Sequence, residues 1–452
     1  MVLGAQLEES QQIPVLALTR RHRLADGEVS LLGAHESVTG AMTRVEMGGE
    51  RLLVDCGKPQ GAEAFEWELD DAALDVDAVL LTHAHLDHIG CLPMLIERGF
   101  SGPVYGTPAT LAIARLVLEE ALGFEKVAPA ESTRLIAEFD RRRRPLRYDQ
   151  RAQIGDGVEF AFRDAGHIVG SASVELTSPK SRVIISGDLG RPGSPLLNDY
   201  HTSWKRGRAV DLVLMETTYA DAEHAHAIEA LPAELERIMR GAAERGGNVI
   251  VPAFPIGRAQ TLLFYLNQLI EARRIPAIPV ALDSPTGLRV THRYEDLAHL
   301  FDRPTMDAIG RGDEALDFES VFGVQRADSQ RVSLIPGPLL IIAGNGMCTG
   351  GRVVGHLRRL LPLEQTTVLF VGYQAEGTPG RAIQRAATRG GRVWLDHEEV
   401  RCRAHVETLS GLSGHADRRE LMRWLEAIPD VQRVALHHGE PKVQRSFAAW
   451  YG

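Results

Sequence analysis

Cysteine is scarce: Cys56, Cys91, Cys348 and Cys402 lie far apart and form no CxxC pair. That excludes a zinc ribbon, argues against a disulfide framework and suits a reducing compartment. An excess of basic residues is also missing. The formal net charge is -10, which argues against a general electrostatic grip on nucleic acid, since that needs a basic surface. Any polyanion would have to be held locally, by metal ions and a few arginines. No apolar run is long enough to cross a bilayer, and the N-terminal region lacks the apolar centre of a signal peptide. The expectation is a soluble cytoplasmic protein with no membrane partner. No solenoid-type repeat is visible.

What is present is enough for a large core. The 452 residues fit two or three domains, and 44% of them are hydrophobic. The most informative stretch is His83-Ala84-His85-Leu86-Asp87-His88, just past the apolar run Ala78-Val79-Leu80-Leu81. A loop leaving a strand can aim several side chains at one point. Imidazole and carboxylate are good ligands for Zn²⁺ and neighbouring divalent ions. So many donors this close suggest two ions, because one tetrahedral ion leaves little room for all of them.

Other polar candidates also follow apolar strand ends. The run Arg51–Val54 leads into Asp55-Cys56-Gly57, and Val158–Arg163 into Asp164-Ala165-Gly166-His167. Arg182–Ser186 leads into Gly187-Asp188, Asp211–Met215 into Glu216, and Arg433–Leu436 into His437-His438-Gly439-Glu440. Loops of this kind can gather on one edge of a sheet. Helical spacing runs from Thr107 to Leu122. After about Tyr219 the rhythm changes to helix and strand in alternation: Ala227–Ala243, Asn248–Val251, Gly257–Leu269, Ile278–Leu282, Leu339–Ala343 and Thr367–Gly372. That alternation predicts a parallel α/β sheet in a second domain ending near Asp396. The Arg141–Arg144 run reads as a solvated face.

Taken together, these motifs resemble the metallo-β-lactamase superfamily and, within it, the β-CASP nucleases, a group of RNA-processing enzymes. The resemblance runs from about Leu31 to the end. It includes Gly33-Ala34-His35-Glu36-Ser37-Val38-Thr39-Gly40, the Asp55-Cys56-Gly57 turn, the HxHxDH loop and the later motifs in order. The length is similar to that of the short bacterial members, and nothing resembles an added KH module.

The resemblance implies an α/β fold: a metallo-β-lactamase αββα sandwich with an inserted β-CASP α/β domain. The first part of the sandwich would cover residues 1–218, the insert 219–396, and the C-terminal part 397–452. It also implies two zinc ions per chain, with Mn²⁺ or iron compatible with the same donors. His83, His85 and His167 would hold the first; Asp87, His88 and His438 the second; Asp188 would bridge both. Between the neighbours His437 and His438, the family pattern selects His438, which precedes Gly439-Glu440. Asp55 would accept a hydrogen bond from a ligand imidazole and fix its tautomer. Asp87 counts among the catalytic residues as well as the ligands. Glu216, His415 and His438 match the three β-CASP motifs, His415 as general acid and Glu216 as the residue that positions it.

The expected reaction is hydrolysis of RNA phosphodiesters, by endo- or 5′-exonucleolytic cleavage, through a hydroxide activated by the two metals and a histidine general acid. Three glycine-containing segments could line a substrate cleft: Ala253–Arg258, Asn345–Gly351 and Tyr373–Arg381. From these, Arg258, Gly346, Thr378 and Arg381 are the candidate substrate contacts. The competing readings are a DNA nuclease acting on single strands, a non-catalytic RNA-processing scaffold, and a thioester or lactone hydrolase. All seven ligands are present, which disfavours the scaffold. His415 and the insert disfavour the small-ester hydrolase. A homodimer is compatible with the sequence.

Overall fold

A computed structural model of the protein describes residues 13–60, 67–224, 227–313, 315–316, 320–372, 374 and 376–451. Two seven-stranded sheets and one six-stranded sheet dominate it. The first seven-stranded sheet runs in the order Arg21–Leu24, Gly27–Gly33, Met42–Met47, Glu50–Val54, Ala78–Leu80, Val104–Gly106, Arg143–Pro145. The second runs Val15–Leu16, Val434–His437, Leu212–Glu216, Arg182–Ile185, Ala172–Thr177, Val158–Asp164, Arg151–Ile154.

Alternation along the strands explains why these two sheets stack. Val183, Ile185, Leu212 and Leu214 point inward and meet Leu52, Val54 and Leu80 of the facing sheet in one dry core. Ile184, Val213 and Met215, one residue out of phase, point outward. They bury Trp424 and Leu425 of the helix Arg418–Glu426 and Phe447 of the helix Pro441–Tyr451. On the far side, Leu53, Val79 and Val104 bury the helices Pro108–Phe124 and Pro129–Arg142. The result is the expected αββα sandwich. Period-two side chains let each sheet bury one face against the other sheet and its outer face under helices.

The insert leaves the sandwich after Leu212–Glu216. The chain re-enters at Val434–His437, which pairs in parallel with that same strand, Glu216 opposite His437. Between them lies a fully parallel sheet in the order Val321–Gly323, Val280–Asp283, Leu340–Ala343, Val249–Pro252, Thr367–Phe370, His405–Thr408. Its inner strands are buried throughout, as expected when helices cover both faces. Leu235, Leu262, Leu266 and Val290 cover one face, and Val353, Leu357 and Ile383 the other.

The expected end of the insert at residue 396 falls in the turn of the hairpin formed by Gly391–Leu395 and Glu398–Cys402. The strand that completes the parallel sheet, His405–Thr408, follows later and pairs with Thr367–Phe370. That pairing is non-local, so no local pattern reveals it. The arginine run lies at the surface, as a solvated face does: Arg141 and Arg144 are exposed, Arg141 and Arg142 both pair with Glu138, and Arg143 pairs with Asp140, where the chain enters the edge strand Arg143–Pro145.

The insert and the sandwich share one apolar cluster, in which Leu111 and Leu118 join Val290 and Tyr294. Polar contacts tie the joint: Leu196 N–H donates to Asp302 at 2.8 Å, and Arg289 pairs with Glu119 at 2.5 Å. Among the described residues, no helix is long and apolar enough to cross a membrane.

Candidate metal centre and cleft

The candidate residues converge where the sandwich strands end. His83 and His85 lie just beyond Ala78–Leu80, and His85 precedes the one-turn helix Leu86–Ile89 that carries Asp87 and His88. His167, Asp188 and His438 follow the strands Val158–Asp164, Arg182–Ile185 and Val434–His437. Sharp turns make this geometry available. Gly187 has φ +58°, and a Cβ there would sit 2.9 Å from Ala172 O and from Thr82 Cβ, so only glycine fits ahead of Asp188.

Asp188, 3% exposed, stands at the middle of the cluster. Its Oδ2 lies 3.6 Å from His83 Nε2 and 3.6 Å from His167 Nε2. Its Oδ1 lies 3.4 Å from His88 Nε2 and 3.5 Å from His438 Nδ1. The two oxygens of one carboxylate therefore face two different sets of imidazoles. His85 Nδ1 joins the first set, 3.0 Å from His83 Nε2 and 3.2 Å from His167 Nε2. Asp87 joins the second, 3.8 Å from His438 Nε2.

The donor chemistry fits divalent cations. Three imidazole nitrogens crowd together in the first set, more than pairwise hydrogen bonds can satisfy. In and beside the second set, His88 Nε2, His438 Nε2 and Asp188 Oδ1 are buried without any hydrogen-bond partner, which is costly unless a cation takes them up. Burial pushes His83 and His167 well below the ordinary histidine value and His85 down to about 4, so all three present neutral lone pairs. Burial is the largest single influence on His88 and His438 and opposes their charge, but the nearby carboxylates together, Asp188 first, with Asp55 at His88 and Asp87 at His438, more than offset it and hold both up. The two sets thus differ in charge: the first is poor in carboxylate, the second rich.

The surroundings orient these rings. Asp55 accepts from Thr82 N–H at 2.8 Å, from Thr82 Oγ1 at 2.7 Å and from His88 Nδ1 at 2.8 Å. His167 donates its Nδ1 hydrogen to Gly414 O at 2.6 Å, which leaves Nε2 as the lone-pair atom. Glu216 is fully buried and accepts from Leu189 N–H, Thr218 N–H and His415 Nδ1, the last at 3.1 Å. His415 Nδ1 is 4.0 Å from Asp188 Oδ2, so the Glu216–His415 pair borders the cluster. His437 stays in its strand, opposite Glu216, and lies outside the candidate ligand groups found among the described residues.

A cavity of about 2410 Å³ separates the sandwich from the insert. This exceeds the ~300–1,000 Å³ of small-molecule pockets and suits a polymer. His85, Asp188 and His415 line one wall. The wall on the insert side contains the first residues of three helices, Arg258–Glu271, Pro285–Asp296 and Arg352–Leu360, and Thr378, which caps a fourth, Pro379–Arg389. Helix N-termini present unpaired N–H groups and partial positive charge, so this wall favours anions although the chain is acidic.

The candidate substrate contacts divide. Arg258 lines the cavity, its guanidinium 5.5 Å from the Phe254 ring centre and packed against Gly372, where any Cβ would overlap it. Thr378 lines the cavity and caps its helix by accepting from Arg381 N–H. Gly346 does not line it; it packs beneath Phe254, where a Cβ would lie 2.8 Å from the ring. Arg381 is not among the cavity-lining residues; it is bonded to Glu376, which does line the cavity, and to Gln384. Tyr373 and Ala375 of the same segment lie outside the described residues. The sequence reading missed Thr82 and Thr218. Thr218 Oγ1 lies 3.2 Å from His438 Nδ1. The signal for both is adjacency, since each stands next to or near a motif residue.

Comparison with known proteins gives three family matches: metallo-beta-lactamase superfamily over residues 39–253, Beta-Casp domain over 259–383, and Zn-dependent metallo-hydrolase RNA specificity domain over 399–451. The chain is 38% identical to Ribonuclease TTHA0252 of Thermus thermophilus, covering 90% of this chain and 92% of that protein. It is 30% identical to transcription termination factor FttA of Methanosarcina mazei, over 92% of this chain and 67% of that protein. A protein of unknown function from Enterococcus faecalis shares the fold, with a TM-score of 0.54 at 15% identity, covering 93% of this chain and 96% of the other.

Proposed function

This chain belongs to the β-CASP family of the metallo-β-lactamase superfamily, and from that premise we propose that it is a metal-dependent ribonuclease. The observation that carries the reading is Asp188, whose two oxygens face two imidazole sets beside the Glu216–His415 pair. His83, His85 and His167 would hold one divalent ion, Asp87, His88 and His438 a second, with Asp188 shared. Nitrogen-rich sets of this kind suit zinc best. When bound, such ions supply Lewis acidity toward the phosphate and a nucleophile at neutral pH.

The chain's own residues do the rest. The helix N-termini and Arg258 receive the phosphates and orient the RNA across the cluster. Water attacks phosphorus and gives up one proton to solvent, the P–O bond to the leaving ribose oxygen breaks, and His415 gives that oxygen a proton. Glu216 engages Nδ1 of His415, so Nε2 is the atom left to deliver it. Asp55 fixes the His88 ring. We expect Asp55→Ala to weaken metal binding by about 10–100-fold, as loss of an outer hydrogen-bond partner does. Competition with a chromophoric chelator measures this; unchanged affinity would remove Asp55 from the account.

The test of the reading is cleavage of end-labelled RNA, matched single-stranded DNA and a thioester, each with and without chelator. RNA cleavage that chelator abolishes is the expected result, and product length separates endonucleolytic from 5′-exonucleolytic action. Preference for DNA or for the thioester would refute it.

A further inference from the structure

We propose that His224 is a positioning residue for His415, acting through the backbone from outside the metal cluster. The proposal rests on the reading of His415 as general acid. His224 Nε2 lies 3.1 Å from the carbonyl oxygen of His415, and its backbone N–H donates to Asp417 Oδ2 at 2.9 Å. His224 therefore contacts the Ser413–Asp417 turn twice, its imidazole at the His415 carbonyl and its backbone N–H at the Asp417 carboxylate. Its side chain is 8% exposed. Burial, reinforced by Arg191, lowers its pKa, so it is neutral near pH 7 and carries a single N–H. Two acceptors face Nε2, the His415 carbonyl and Glu420 Oε2 at 3.6 Å, which places the hydrogen on that nitrogen.

The same carbonyl accepts from Ser413 Oγ at 3.2 Å, but Ser413 belongs to the turn and moves with it. His224 comes from the segment that leaves the strand Leu212–Glu216. That segment also supplies Tyr219, which forms a parallel bridge with Asp417 and sets its ring 5.9 Å from His415. Thus one stretch holds His415 twice: Glu216 grips its side chain and His224 its main chain. The N–H of the same peptide, Ala416 N–H, donates to Leu189 O at 2.8 Å; without His224 the carbonyl end is released, the peptide tilts about that bond, and Nε2 moves off the leaving oxygen. A displacement of about 1 Å costs on the order of 10²-fold in rate.

The experiment compares His224→Ala, His224→Gln and His415→Ala in metal-loaded protein on two substrates, RNA and bis-p-nitrophenyl phosphate. The aryl oxide of the second departs without needing a proton. His224→Ala should lower kcat on RNA by roughly 10–100-fold, leave KM within about twofold, and leave aryl diester cleavage unchanged. The glutamine amide can replace the Nε2–H donor, so His224→Gln should recover most of the rate. His224→Ala with full RNA activity, or with equal losses on both substrates, overturns the proposal while the reading of His415 stands. Full RNA activity in His415→Ala overturns the reading and the proposal with it.

Discussion

Asp188→Ala is expected to strip the protein of both metal ions and to abolish RNA cleavage, with a loss exceeding about 10³-fold. Removing one charge-stabilising donor from an active site costs ~10²–10³-fold. Here a single side chain faces four imidazole nitrogens at 3.4–3.6 Å, two through each oxygen. Its loss also leaves buried histidines without their main counter-charge, because Asp188 is the largest of the carboxylate influences that offset burial at His88 and His438. Asp188→Asn keeps the volume and removes the charge, so it separates electrostatics from packing. It should lose metal as fully as the alanine variant while keeping a native circular dichroism spectrum. Elemental analysis of both variants is the check; two retained ions in either would show that Asp188 is not shared between sites.

His415→Ala should have the second-largest effect, and a different signature. RNA turnover is expected to fall by about 10²–10⁴-fold, the range for loss of a positioned general acid. Metal content should stay at the wild-type level, because His415 bonds to Glu216 and, although it neighbours Asp188, it belongs to neither the His83–His85–His167 nor the Asp87–His88–His438 set. His167→Ala gives the contrast. Its Nε2 belongs to the first set, and its Nδ1 hydrogen binds Gly414 O beside His415. It should lose metal and turnover together. Measuring metal content and single-turnover rates on the same samples distinguishes the two. Intact RNA cleavage in His415→Ala would end the general-acid assignment.

Much of the site was legible because each candidate residue sits just past an apolar strand. A chemical motif after a β-run is a local signal, and His83, His85, Asp87, His88, His167, Asp188 and His438 all carried it. What could not be read were consequences of long-range pairing. Glu216 and His438 come together through the register Glu216 opposite His437, which no local pattern encodes. The strand His405–Thr408 escaped notice because its pairing with Thr367–Phe370 depends on the intervening chain folding back. Arg381 and Gly346 looked suited to phosphate by composition alone. In the structure Glu376 pairs with the arginine and Phe254 covers the glycine, and neither residue lines the cavity. His224 stood in no motif the sequence reading singled out, and only its contact with the His415 carbonyl marks it.

The most direct test of the central claim is stepwise reconstitution. Metal-free protein would receive zinc in sub-stoichiometric steps, with bound metal and RNA cleavage followed together. Cooperation of two ions across Asp188 predicts that cleavage rises with the second equivalent and levels off at two per chain. Full cleavage at one equivalent, or in the presence of excess chelator, would contradict it.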